Sequence, residues 1–221
     1  MVFEAFHIFV DTNVLVKIIY TMTLHRKLNK PKIKILDLLE NRTLVIYTDS
    51  AIIRELKNVA LHNLLSNVDR AKHGWHNVEV NVMEQYCINQ LNDMVSKGYI
   101  RIIEDDESLK IQREALRYRP KRRVCWKNEI MDQLLSKIPS EDIDIVNSLL
   151  YAYDLLATVP RRKGPGITSG KLIFITEDKN LRDFVEGHLA CNKCPCANKI
   201  ITLNYREFKE QLTNIGPRDN K

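Results

Sequence analysis

The regular alternation of short apolar strand patterns with longer helical ones constrains this chain most. Residues 7–10 read as a buried strand that ends at Asp11. Residues 33–39 read as a helix, with Ile35, Leu36, Leu38 and Leu39 at its apolar positions. A second strand covers 44–47. Asp49 and Ser50 then offer an N-cap for a helix over 51–65. A helical stretch over 78–97 is stopped by Gly98, and 99–103 is a third strand. Further helices are expected over 108–116, near 128–137, and from a Ser140 cap to about 157. A strand over 171–175, a helix over 180–189, a strand over 199–203 and a helix over 205–212 complete the order. Strands that alternate with helices in this way argue an α/β chain, a parallel sheet covered by helices on both faces.

The 221 residues suffice for one domain with an ordinary core, and a hydrophobic content of 44% argues against disorder. Seven glycines and seven prolines exclude a collagen-like or linker-dominated architecture. No repeat or low-complexity tract appears. Residues 1–215 read as one domain with a helical, basic insertion at about 78–139, followed by a polar tail over 216–221. The most apolar stretch, 8–20, is broken by Asp11 and Lys17 and falls short of a membrane span. The first residues show no basic leader, so a cytoplasmic protein without membrane contact is expected. Five cysteines, three of them crowded into 191–196, do not form a secreted disulfide framework. A net charge of +6 and a pI of 9.0 favour a polyanionic partner.

Ligands of open parallel sheets bind outside the carboxyl ends of the strands. Asp11 follows the first strand and Asp178 follows the fourth, and both would converge if these strands were neighbours. The plainer reading is that each caps the helix after it. Glu55 has Ala51, Ile52 and Val59 as helical neighbours, so no local ion pair accounts for it. Bordering the apolar stripe, it is expected to be partly buried and to need a cation, a hydrogen-bond network or a metal, the plainer alternative being a surface Glu at the stripe's edge. Glu141, Asp142 and Asp144 open a helix. The first two suit the helix dipole, whereas Asp144 lies deeper, with the small residues Ser148 and Ala152 along its face. Two residues along a helix turn a side chain by about 200°, so Asp142 is an alternative to Asp144 and not a companion to it. Asp11, Glu55, Asp144 and Asp178 come from four separated segments. Four such acids point to Mg²⁺ or Mn²⁺, which prefer hard oxygen ligands, and to hydrolysis of phosphodiesters by metal-activated water.

These segments resemble those of the PIN-domain ribonucleases. Phe9-Val-Asp11-Thr-Asn13-Val-Leu15 is similar to the opening strand motif, and Ser50-Ala-Ile-Ile-Arg-Glu55-Leu56 to the capped helix that carries a Glu. Asp144-Ile-Val-Asn-Ser148 resembles the third motif. Phe174-Ile-Thr176-Glu-Asp178 resembles the fourth, with Thr176 at its Thr or Ser position. The resemblance runs from about residue 7 to 212. It implies an α/β/α fold with strand order 3-2-1-4-5, a Mg²⁺ or Mn²⁺ site, and endonucleolytic cutting of single-stranded RNA. Asp11, Asp144 and Asp178 would hold metal and Glu55 would complete the site, while Asn13 would position Asp11 or a water. A small antitoxin protein and a second copy of the chain are the further partners it allows. Two departures stand out. The chain is much longer than a minimal VapC-like toxin, and Asn180 stands where relatives often carry a second acid.

Arg117, Arg119, Lys121, Arg122, Arg123 and Lys127 lie within eleven positions, interleaved with Tyr118 and Trp126, and read as an RNA-binding segment. Arg161, Arg162 and Lys163 form a second basic loop. His188, Cys191, Cys194 and Cys196 are the one soft-ligand cluster; structural Zn²⁺, a local disulfide and free thiols all remain open for it. Two rival functions are a non-catalytic RNA-binding or assembly scaffold and a haloacid-dehalogenase-type phosphatase. The phosphatase needs an acid where this chain has Asn13.

Overall fold

A computed structural model describes residues 6–27, 33–68, 77–103, 140–158, 172–189 and 200–214. In chain order they form β1 (Phe6–Val10), α1 (Thr12–Lys27), α2 (Lys34–Glu40), β2 (Leu44–Asp49) and α3 (Ser50–Glu55). A π-helical turn, Leu56–Ala60, carries α3 into α4 (Leu61–Asn67). Then come α5 (Val80–Ser96), β3 (Ile100–Ile103), α6 (Ser140–Thr158), β4 (Leu172–Ile175), α7 (Lys179–Phe184) with a π-helical turn at Val185–Leu189, β5 (Ile200–Leu203) and α8 (Tyr205–Asn214).

The five strands form one all-parallel sheet in the order β3-β2-β1-β4-β5. This is the α/β architecture and the strand order expected above. β1 is central. His7 is level with Val45 of β2 on one side and Leu172 of β4 on the other. The chain walks outward through β2 and β3, then resumes beside β1 with β4 and β5. The order reverses between β1 and β4, and such a switch point opens a crevice at the carboxyl edge. Ile8, Phe9 and Val10 are wholly buried, as a strand covered on both faces must be. α6 packs on β2 and β4, which flank β1, while α1 packs against α3, the first π-helical turn and α5.

α1 has no counterpart in the strand-and-helix pattern read from sequence. Ten of its sixteen residues are buried, so its polar face is only a narrow stripe, Asn13, Lys17, Thr21 and His25, and the buried Thr12 and Thr23 blur its 3.6-residue period. Val14, Val16, Ile18 and Ile19 also carry strand propensity. Thr21 and Thr23 return their hydroxyls to the carbonyls of Lys17 and Ile19, at 2.7 and 2.8 Å, so their hydroxyl groups stay satisfied within the helix.

β2 runs two residues further than expected, because Thr48 and Asp49 pair with Ile102 and Ile103 of β3. α5 ends where Gly98 takes a positive φ of 71°. There the N–H groups of Gly98 and Tyr99 return to the carbonyls of Val95 and Met94. Of the span 78–139 read as an insertion, α5 packs on α1 and α4, and β3 is the edge strand of the sheet. Its remainder, including the helices expected over 108–116 and 128–137, lies outside the described residues. No helix among the described residues is long and apolar enough to cross a membrane.

Candidate active site

The carboxyl ends of β1 and β4 bring the first and fourth motifs together. Asp11 leaves β1 and caps α1, its carboxylate accepting the Val14 N–H at 2.9 Å. Its other oxygen accepts the hydroxyl of Thr176, the first residue after β4. That hydroxyl oxygen in turn accepts the N–H of Asp178 at 2.9 Å. Asp11 and Thr176 are only 4% and 1% exposed. Burial pushes the Asp11 carboxyl above its ordinary value. The Thr176 hydroxyl and the N–H groups of Val14 and Glu177 pull it back, and the Glu177 charge adds to the rise. Among the described residues no Lys, Arg or His forms an ion pair with Asp11. The nearby Lys17 ammonium is held by Glu177 at 2.7 Å.

Asp178 is exposed and caps α7, accepting the Leu181 N–H at 3.0 Å. The capping reading is therefore correct for both acids, and Asp11 has the additional bond across to β4. Glu55 ends α3 and is exposed, not partly buried. A surface position at the edge of the stripe relieves it of the buried partner its sequence context seemed to demand. It does accept one bond, from the hydroxyl of Thr12, which adjoins Asp11. The residue in the opening motif that reaches another acid is thus Thr12; Asn13 is exposed, as is Asn180 in α7.

Asp144 is exposed on the first turns of α6, and Asp142 is half-buried. Ser148 and Ala152 are fully buried, as small residues against a sheet should be, with Val146 and Leu149 beside them. Ser148 is more than a space-saver. Its hydroxyl donates to Asp49, the last residue of β2. Asp49 is 1% exposed and also caps α3 through the Ala51 N–H at 2.6 Å. Sequence reasoning took Asp49 as a cap alone. The available signal was residue type, because a cap needs one acceptor and Ser or Asn supplies it.

No three Asp, Glu, His or Cys side chains among the described residues stand close enough to share one metal ion. One carboxylate, Asp11, is buried and fixed, whereas Glu55, Asp144 and Asp178 are exposed. The donor chemistry fits Mg²⁺ or Mn²⁺, since all four groups are hard oxygen ligands and the buried one has no cationic partner among the described residues. Arg117, Arg119, Lys121, Arg122, Arg123, Lys127, Arg161, Arg162, Lys163, Cys191, Cys194 and Cys196 lie outside the described residues. His188 falls in the second π-helical turn. Comparison with protein-family models, curated proteins and solved structures finds no match to this chain.

Proposed function

We propose that this chain is a divalent-metal-dependent endoribonuclease of the PIN-domain type, hydrolysing phosphodiesters of single-stranded RNA. The observation that carries the reading is Asp11. This buried carboxylate sits at the switch point of a parallel sheet, held by two donors on different segments and paired with no cation among the described residues. A buried anion so placed costs stability unless something positive joins it. The strand order, which is the one the resemblance implies, supports the reading further.

Asp11 would hold the ion, with Glu55, Asp144 and Asp178 as the remaining carboxylates. When bound, Mg²⁺ or Mn²⁺ supplies Lewis-acid activation of water and of the phosphodiester. The Val14 N–H and the Thr176 hydroxyl keep the Asp11 carboxylate in one orientation. Thr12 holds Glu55 beside it.

The test is incubation of end-labelled single- and double-stranded RNA and DNA with Mn²⁺, for the wild type and Asp11→Asn. Cutting of single-stranded RNA that leaves 5′-phosphate ends and vanishes in the variant is expected. Cutting in excess EDTA, or 2′,3′-cyclic phosphate products, would refute the reading. A scaffold is the second reading, favoured by the lack of a ready three-ligand group among the described residues. RNA binding that ignores chelator, with no cutting under Mn²⁺, would establish it.

A further inference from the structure

Asp49 is a carboxylate sealed inside the protein at 1% exposure, and its two oxygens go to two different helices. Oδ1 accepts the Ala51 N–H at 2.6 Å, at the start of α3. Oδ2 accepts the hydroxyl of Ser148, in the middle of α6. α3 ends on Glu55, and α6 carries Asp144 one turn before Ser148. Four residues of helix advance about 6 Å and return to nearly the same face, so Asp144 projects beyond the Asp49–Ser148 contact. Ser148 meets the last residue of β2. The turn before it therefore stands at the carboxyl edge, where Asp144 is exposed.

A cap alone does not explain an Asp at this position. Ser or Asn caps a helix as well and brings no charge into the interior. Ser has no second arm for Ser148, and Asn could meet it only by donating its amide N–H to the hydroxyl, whereas Asp accepts from both helices. We infer that Asp49 and Ser148 are a positioning pair: they tie the helix bearing Glu55 to the helix bearing Asp144 and so set the spacing of two carboxylates across the end of β1. Neither residue touches the ion or the RNA. The inference rests on the metal-dependent reading above, and it concerns how two acids that stand exposed are kept within reach of one cation.

Ser148→Ala removes the tie and leaves all four candidate ligands and the α3 cap in place. Ser148→Thr retains the hydroxyl. Mn²⁺ affinity is read without RNA by the electron paramagnetic resonance signal of free Mn²⁺, and RNA binding is read in EDTA. Mn²⁺ should bind about tenfold more weakly to Ser148→Ala and within about twofold of wild type to Ser148→Thr, with RNA binding in EDTA unchanged in both. A tie that served only stability would lower Tm and leave Mn²⁺ affinity where it was, so an affinity of Ser148→Ala within twofold of wild type overturns the inference. If Ser148→Ala does not fold, Asp49→Ser is measured in its place, since Ser keeps one oxygen for the α3 cap and has no second arm for Ser148; the same outcomes apply. Wild type that binds no Mn²⁺ at millimolar concentration removes the metal-dependent reading itself, a failure distinct from an unaltered Ser148→Ala.

Discussion

Thr176→Val is the sharpest test of how β1 and β4 are joined at the candidate site. Val matches Thr in shape, so no cavity opens, and the change isolates one hydroxyl at a position 1% exposed. That hydroxyl donates to the buried Asp11 carboxylate and accepts the Asp178 N–H at 2.9 Å. A hydrogen bond to a charged group contributes about 1.5–3 kcal/mol and a neutral one about 1 kcal/mol. Asp178 is exposed and its N–H can turn to water, so the second contribution is partly recovered. The net loss is about 3 kcal/mol, nearly all of it from leaving a buried carboxylate oxygen without its donor. In a chain of this size each kcal/mol moves Tm by about 2–4 °C, which predicts a fall of about 6–12 °C. Thermal melts followed by circular dichroism in EDTA measure it, with Thr176→Ser as the control. Ser keeps the hydroxyl and gives up only a buried methyl group, worth about 0.8 kcal/mol. A Thr176→Val melt within about 1 °C of wild type, or equal losses in the two variants, would refute the reasoning.

Four further predictions concern three separate parts of the molecule. Burial pushes the Cys87 thiol up to about 11, helped by the Glu84 charge and opposed by Thr23, so peptide mapping should find Cys87 unalkylated by iodoacetamide at pH 8 in the native protein and alkylated in urea. Because the fold favours the neutral thiol, its contribution to stability is complete below the unfolded value near 9 and is lost as pH rises towards 11; the Tm gap between wild type and Cys87→Ala should narrow over that window. Gly98 has a φ of 71° and open space where a Cβ would stand, so Gly98→Ala should cost only the strain of the left-handed backbone, about 1 kcal/mol, and Gly98→Asn less, in the same melts. Asp144→Asn should lose nearly all RNA cutting across a Mn²⁺ titration while Asp142→Asn loses little, and the reverse ranking would assign the third ligand to Asp142.

The sheet was legible because its strands are short, continuous apolar runs between polar breaks, the pattern that burial on both faces imposes. Ile8, Phe9 and Val10 illustrate it, as do Phe174 and Ile175. The same burial obscured α1, whose polar face is only the narrow stripe of Asn13, Lys17, Thr21 and His25 and whose packed face includes the polar Thr12 and Thr23. Asp11 and Asp178 could be picked out because each follows a strand, and Thr176 only because the fourth segment resembles a known motif. The Thr12–Glu55 bond spans 43 residues and the Ser148–Asp49 bond spans 99. No local pattern encodes such contacts; they arise only once β1, β2 and α6 have packed. Glu55 was misjudged for a related reason. Its place beside an apolar stripe was readable, but its burial depended on what α3 would face.

These contacts share a chemical preference. Asp11 accepts a hydroxyl from Thr176, Glu55 from Thr12, and Asp49 from Ser148. Ion pairs of other acids among the described residues include Arg26 and Lys97 on Asp93, Arg206 on Glu210, and Lys17 on the exposed Glu177, whereas none there joins Asp11 or Glu55. The difference matters because a lysine or arginine beside a carboxylate cancels the charge that a metal ion or a substrate-bound cation needs. A hydroxyl orients the same carboxylate and leaves its charge intact. Stability alone would favour a cation next to Asp11, where an unpaired buried charge is expensive. Among the described residues, hydroxyls there, with Lys17 turned to Glu177, leave the Asp11 charge uncancelled in a protein whose net charge is +6. A negative point within a basic chain is what a site needs when it must collect a divalent cation and a polyanion together.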